Sequence, residues 1–139
     1  MGRSRPRSGD PRAGQALVEF ALVAPILLLL LLGIVDFARA WNVYEVLTDA
    51  AREGAREAVV DNGRSEAEVR QIIIDAAARA GVEVADADIQ ITGMGSGRGN
   101  PTTVRIEHLY PLRFVGALVQ LAQGGDDLVL ATEFAMRNE

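Results

Sequence analysis

The first 35 residues divide into a polar start that carries arginines and a long apolar run. Residues 20–35 contain no charged side chain, and residues 15–35 contain one, Glu19. As a helix, residues 15–35 would span about 31 Å, which is close to the thickness of the hydrocarbon core of a bilayer. The pattern therefore predicts a transmembrane helix over residues 15–35, in which Pro25 introduces a bend that lipid-embedded helices tolerate.

A stripe of apolar residues at three- and four-residue steps predicts that the helix continues to about residue 60. The stripe consists of Val43, Val46, Leu47, Ala50, Ala51, Gly54, Ala55 and Ala58. Small side chains at Ala50, Gly54 and Ala58 would let another backbone approach closely. This face packs onto the chain's own sheet, against neighbouring subunits, or on both at different heights. On the opposite, charged face, Glu53 and Arg56 have the spacing of an ion pair.

The pattern after residue 60 predicts a turn and a second helix. Asp61, Asn62 and Gly63 form a turn-forming cluster. Ser65 and Glu68 have the spacing of a capping box at the start of a helix that Gly81 ends. The residues expected on the buried face of this helix are Val69, Ile72, Ile73 and Ala76.

Three later segments alternate apolar and polar side chains, as antiparallel strands with one solvated face do. Their inward positions are Ile89 and Ile91 in the first, Val104, Ile106, His108 and Tyr110 in the second, and Leu128, Leu130, Thr132, Phe134 and Met136 in the third. The predicted fold class is thus α+β, pilin-like: a long N-terminal transmembrane and stalk helix, a second helix and a three-stranded antiparallel sheet.

Two connecting segments have compositional signals of their own. Residues 93–100 are rich in glycine, but they lack the Lys-Ser/Thr of a phosphate-binding loop and lead into a strand, so we expect a flexible hairpin loop. Residues 114–122 predict a short helix, whose apolar side chains form either a buried crossover or an exposed contact patch.

Charge gives the predicted membrane segment an orientation. Residues 1–14 carry four arginines against one aspartate, whereas residues 15–139 carry 10 arginines against 18 acidic residues, within a net charge of −5. The positive-inside bias places the N-terminus in the cytoplasm and the C-terminal domain outside. An acidic domain also argues against nucleic acid as a partner.

These patterns divide the chain into four parts. They are a basic cytoplasmic leader (1–14), a transmembrane helix (15–35), a helical stalk extension (36–60) and an extracytoplasmic α+β domain (61–139).

Candidate chemistry is sparse. The sequence has no cysteine, which excludes disulfides and thiolate sites, and its one histidine, His108, has no second histidine beside it to complete a metal site. Two acidic pairs, Asp86 with Asp88 and Asp126 with Asp127, lack the ligand spacing of an EF-hand loop. We therefore expect no catalytic, cofactor-binding or metal-binding residues.

Glu19 is the chemically unusual position of the apolar segment. A carboxylate at the centre of a bilayer costs about 2.5–3.5 kcal/mol on insertion scales, so it needs a partner or an interfacial position. One interpretation places Glu19 among the headgroups, where it complements the helix dipole. The other pairs it with an amine created by proteolysis four residues earlier.

Two kinds of proteolysis are compatible with the N-terminal sequence. Ala38-Arg39-Ala40 fits the small-x-small cleavage pattern of a secretory signal peptide, which would release a domain beginning at Trp41. Gly14, by contrast, ends a short basic leader and precedes Gln15 as the first mature residue and Glu19 as the fifth, which is the type IV prepilin arrangement.

The segments GQALVEFALVAP, LLLLLLGIVDFARAW, AAREGAREA and the terminal ATEFAMRNE resemble the TadE-like pseudopilins of tight-adherence pili. The resemblance implies cleavage between Gly14 and Gln15 by a membrane aspartyl prepilin peptidase. It also implies that Glu19 serves assembly and that Phe20 is the aromatic residue that often follows it. The implied partners are the membrane, the peptidase, other pilins or pseudopilins and the pilus assembly platform. The implied location is the cytoplasmic membrane or the pilus.

Two alternatives stay open at this point. One is an uncleaved membrane-anchored domain that binds something outside the cell, and the other is the domain released after Ala40.

Overall fold

The N-terminal helix, α1, extends from Pro11 to Val59 without interruption at Pro25. The structure is a computed structural model, and it describes residues 11–60, 63–124 and 127–139. At about 1.5 Å per residue, the 49 residues of α1 reach about 74 Å. The predicted turn at Asp61 and Asn62 and the first ten residues of the leader lie outside the described residues.

The N-terminal half of α1 is largely exposed and meets the rest of the chain near Gly33, whereas its C-terminal half forms one wall of the core. An 18-residue apolar window of this helix has no buried part, and α1 is the one helix of the described residues that is long and apolar enough to cross a membrane. Beyond residue 39, the face that includes Ala40, Leu47, Ala51 and Ala55 is buried.

The second helix, α2 (Glu66–Arg79), starts at the predicted capping box. The Ser65 amide donates to Glu68 Oε2 (2.7 Å), and the Glu68 amide donates to Ser65 Oγ (3.3 Å). The two hydrogen bonds from Ser65 and the charge of Arg64 lower the pKa of Glu68.

Four-residue steps along α2 bury Val69, Ile73 and Ala77 against α1. The expectation that Ala76 is buried is wrong by one position: Ala76 is half-buried, as is Ile72. Because residues four apart lie on the same face of a helix, Val69, Ile73 and Ala77 form one narrow row that faces α1.

The sheet has the order β1-β2-β3, with β1 at Ile89–Thr92, β2 at Pro101–Pro111 and β3 at Asp127–Arg137. Both pairs are antiparallel, with Ile89 opposite Ile106 and Val104 opposite Phe134. A short 3₁₀ turn at Asp86–Asp88 precedes β1, and a third helix, α3 (Gly116–Gln123), lies between β2 and β3. The predicted α+β fold class is confirmed.

Three contacts show how β3 and the chain after β2 lie along α1. At the C-terminal end of α1, the Glu139 amide donates to the Val59 carbonyl (3.2 Å). Nearer the middle of α1, the Thr132 and Thr48 hydroxyls lie 3.1 Å apart. At the lower end, the chain after β2 contacts Asp36. We call this lower end, residues 109–124 and 127–130, the proximal end of the domain because it lies nearest the apolar half of α1.

Candidate functional site

The peptide bond between Gly14 and Gln15 lies inside α1, three residues after the helix begins. A Cβ added to Gly14 would meet nothing within 4 Å, so packing does not require glycine there. Glycine weakens a helix interior by about 1 kcal/mol relative to alanine. Gly14 therefore makes this turn easier to open than alanine would.

Glu19 has a hydrogen-bond partner within its own helix. Gln15 Nε2 donates to Glu19 Oε1 at 3.0 Å, across one turn of α1, and both side chains are exposed. Sequence reasoning considered an amine or the headgroups as partners of this carboxylate and missed the side-chain amide. Four-residue spacing on a helix was the available signal. Phe20 lies next to this pair and is also exposed.

Asp36, the first charged residue after the apolar run, is fully buried. Its carboxylate accepts hydrogen bonds from three successive backbone amides: Arg113 (3.3 Å), Phe114 (2.8 Å) and Val115 (2.9 Å). Desolvation tends to raise the pKa of Asp36, but the three amide hydrogen bonds and the charge of Arg39 outweigh it and lower the pKa below 3.8.

The role of Asp36 follows from how α3 begins. Val115 precedes the first residue of α3 and has no side-chain oxygen to accept from the free amides of the first turn. Asp36 supplies that acceptor from another helix, and its negative charge suits the positive end of the α3 dipole. Sequence reasoning treated Asp36 only as the flank of the membrane segment, because nothing in the local pattern reveals a partner 79 residues away.

The small-residue face of α1 lies within the core. Ala50, Gly54 and Ala58 are buried, and a Cβ on Gly54 would come closer than 3.0 Å to the side chain of Ile73 on α2. At Gly54 the side chain of Ile73 occupies the space that a Cβ would need, so α2 packs closely on α1 there.

The expected pairing of Glu53 with Arg56 on α1 is wrong. Glu53 instead accepts from Arg79 of α2 at 3.0 Å, which links α1 to the last turn of α2. Both side chains are exposed, so the link contributes at most about 1 kcal/mol.

The glycine-rich loop between β1 and β2 is tied to the C-terminus by Asn138. The amide of this side chain donates to the Gly93 carbonyl (3.1 Å) and to Ser96 Oγ (3.2 Å), and its oxygen accepts from Thr102 Oγ1 (2.5 Å). Asn138 is buried. It lies in the terminal segment quoted above for the resemblance, yet its contacts were not foreseen.

The remaining candidate groups lie apart from these sites. His108 is half-buried on β2, with Nδ1 3.9 Å from Asp88 Oδ2. Asp86 and Asp88 form the 3₁₀ turn, Asp127 begins β3, and Asp126 lies outside the described residues. Across the described ranges, no three His, Cys, Asp or Glu residues form a group suited to a metal ion.

Comparison with known proteins gives one family. A model of the TadE-like proteins matches residues 14–56, which include the Gly14–Gln15 bond, Glu19 and Gly54. The match confirms the resemblance over residues 14–56, and the terminal ATEFAMRNE lies outside it. The family is a structural one associated with tight-adherence pili, and the exposed apolar segment of α1 fits a single-pass membrane anchor in such a family. Neither the curated proteins nor the solved structures contain a match.

Proposed function

Proceeding from the match of residues 14–56 to the TadE-like family, we propose that this chain is a minor pseudopilin-like structural component of a tight-adherence pilus assembly system. Residues 15–35 anchor it in the cytoplasmic membrane, with the arginine-bearing leader inside and the α+β domain outside. The observation that carries the proposal is the exposed apolar segment of α1, residues 15–35, whose one charged residue, Glu19, lies just over one turn after Gly14.

A prepilin peptidase removes the leader by cutting between Gly14 and Gln15. Because this bond lies within α1, the first turns of the helix must open before a protease can hold the backbone in an extended form. Gly14 lowers the free energy of that opening by about 1 kcal/mol relative to alanine. The reaction leaves a free amine on Gln15.

Glu19 then changes partners as the chain is processed and assembled. In the intact chain its carboxylate accepts from the Gln15 side-chain amide. In the assembled pilus, the new amine of Gln15 on one subunit pairs with Glu19 of a neighbour, so that both charges are neutralised and the axial register is set. An unpaired carboxylate deeper in the bilayer would cost a few kcal/mol, which favours the paired arrangement.

The proposed role is structural and not catalytic. Its working parts are a lipid-facing helix, one carboxylate and a domain supported on the helix by its own core. Its partners are the membrane, the prepilin peptidase, other pilins or pseudopilins and the assembly platform.

Release of the domain after Ala40 is a weaker candidate. Ala40 is buried within continuous α1, and Asp36, on the lost side of such a cut, holds the start of α3. A protease acting there would have to unwind a core-forming helix and would remove the acceptor of three amides.

Substitution of Glu19 tests the proposal, and Glu45 supplies a matched control. Glu45 accepts from Trp41 Nε1 at 3.0 Å across one turn of the same helix, just as Glu19 accepts from Gln15. We expect Glu19→Gln to leave membrane insertion intact and to reduce incorporation into the pilus machinery about tenfold or more, as the loss of a charge pair worth over 1.4 kcal/mol would do. Glu45→Gln should incorporate normally.

Incorporation is measured by co-purification of the full-length variants with sheared pili and assembly proteins from native cells. Normal incorporation of Glu19→Gln would contradict the pairing and support the headgroup interpretation of this carboxylate.

A further inference from the structure

We propose that the proximal end of the domain is a second membrane-contacting surface: α3 lies in the outer interfacial layer of the bilayer, beside the point where α1 leaves it. This inference rests on the membrane anchoring in the proposed function and adds that the domain lies on the lipid instead of standing clear of it.

Contacts with α1 fix the level of α3 relative to the apolar segment. A Cβ built on Gly33 would lie 3.7 Å from Val115 Cγ1, so the start of α3 lies against the last turn of that segment. The Arg39 guanidinium lies 5.3 Å from the centre of the Phe114 ring. With the Asp36 hydrogen bonds, these contacts place the start of α3 between residues 33 and 39 of α1, where the predicted span ends.

Asp36 does not expose a charge at this level. Its carboxylate is buried and accepts three amide hydrogen bonds, so water is not needed to solvate it. Between Phe20 and Ala38 no other charged residue occurs, and the lipid-compatible surface of α1 therefore continues up to Arg39.

One face of α3, together with Phe114 two residues before the helix, forms an exposed apolar row. Phe114, Leu118 and Leu121 follow one another at helical steps of four and three residues, and their exposed fractions are 45%, 47% and 87%. The opposite face packs on the chain through buried Gly116 and half-buried Val119. Burial of such an apolar face at the boundary of headgroups and acyl chains would be favourable.

The outer face of the sheet becomes apolar towards the same end. Far from the apolar half of α1 it carries Arg105, which pairs with Glu107 (2.5 Å) and Glu133 (3.8 Å). Next to α3, it carries Leu109 directly opposite Val129, and both side chains are exposed. Polarity thus changes along one face in the direction expected of a surface that enters lipid.

Aromatic and basic side chains lie near the start of α3, on α1 and in the segment between β2 and α3. Phe37 and Trp41 are exposed with ring centres 6.2 Å apart, and amphipathic aromatic rings favour the membrane interface. Arg39 and Arg113 are exposed at the same height, where guanidinium groups can reach phosphates while their stems lie along apolar surface.

Lipid is the occupant that fits these observations because the start of α3 lies against the last turn of the apolar segment of α1, whose surface faces lipid in the proposed function. Gly33 has no side chain to separate the two helices. A protein partner bound to α3 would leave the adjoining surface of α1 in contact with lipid. A bilayer, by contrast, would contact the apolar surfaces of both helices.

Single-cysteine labelling tests this placement directly, since the chain contains no cysteine of its own. Leu121→Cys, Leu29→Cys and Arg98→Cys are each labelled with an environment-sensitive fluorophore in the full-length chain. They are then reconstituted at low density into phosphatidylethanolamine–phosphatidylglycerol vesicles. Quenchers are lipids with spin labels at shallow or deep positions, and aqueous iodide.

The Leu121 probe should emit at shorter wavelength than the Arg98 probe and be quenched most strongly by the shallow lipid, while the Leu29 probe is quenched by the deep lipid. A Leu121 probe that behaves like the Arg98 probe, beside an embedded Leu29 probe, overturns the inference and leaves the anchor intact. A Leu29 probe quenched by iodide overturns the anchor and the inference with it. Shielding of the Leu121 probe from both lipid and iodide that is lost on dilution would assign the surface to a second protein copy, which also overturns the inference.

Discussion

Asp36 shows how one side chain can attach a distant segment to a helix. The carboxylate lies at the boundary between the apolar segment and the core, and it replaces the capping residue that α3 lacks. Its burial is tolerated because three amides satisfy its oxygens, and a buried carboxylate without donors would be destabilising.

The lowered pKa of Asp36 predicts a pH dependence. A carboxyl group whose pKa is lower in the folded chain than in the unfolded chain stabilises the fold above its ordinary pKa and loses that contribution as pH falls through the folded value. We therefore expect hydrogen-exchange protection factors at the Phe114 and Val115 amides to be constant above pH 5 and to fall below pH 3.8.

The Glu139 amide is the control, since it donates to a backbone carbonyl of Val59 and not to a titrating group. Asp36→Asn should lower protection at Phe114 and Val115 at neutral pH and remove its dependence on acid. A fall in parallel at Glu139, or an acid dependence that persists in Asp36→Asn, would show that titration of Asp36 does not control this segment.

At the scale of elements, the contact between α1 and α2 depends on the absence of one side chain. Alanine at position 54 would strengthen α1 by about 1 kcal/mol, but its Cβ would overlap Ile73 in a well-packed core, which costs about 1–3 kcal/mol. We expect Gly54→Ala to be destabilising in the natural chain.

A double-mutant cycle separates these two effects. In the Ile73→Ala background the overlapping atoms are gone, so Gly54→Ala should become stabilising by about 1 kcal/mol. Gly33→Ala is the matched control, because its Cβ would meet only an ordinary contact at 3.7 Å. Free energies of unfolding of the full chain in detergent give the result. Equal effects of Gly54→Ala in both backgrounds would contradict the proposed role of Ile73.

The elements themselves follow from periodic patterns, and this explains which parts of the structure the sequence revealed. The long apolar helix, the Ser65–Glu68 capping box and the alternating strands depend on neighbours in sequence, and each was predicted. The contacts of Asp36, Asn138 and the Glu53–Arg79 pair depend on segments brought together only by the fold. Even the helix at α3 was predictable, whereas exposure of its apolar face was one of two open alternatives.

At the scale of the whole molecule, α1 joins an exposed apolar segment to the core of the α+β domain. Its N-terminal half is apolar and largely exposed, and its C-terminal half forms one wall of the core. The domain is attached to the helix from Asp36 to Val59, so a displacement of the apolar half along its axis would move the domain with it. Such a rigid connection suits a subunit that is extracted from a membrane into a pilus.

Gln15 carries a chemical complication for this account. As a new N-terminus, its amine can attack its own side-chain amide carbon and expel ammonia, which closes a lactam ring. That reaction would consume both the amine proposed to pair with a neighbour and the amide that donates to Glu19. The state of the mature N-terminus therefore bears on assembly as well as on processing.

Mass spectrometry of the mature N-terminus, in native cells with and without prepilin peptidase, tests the proposed function most directly. We predict a chain that begins at Gln15 with a free amine when the peptidase is present, and an uncut chain when it is absent. Persistence of residues 1–14 in the presence of the peptidase, or a chain that begins at Trp41, would contradict the account.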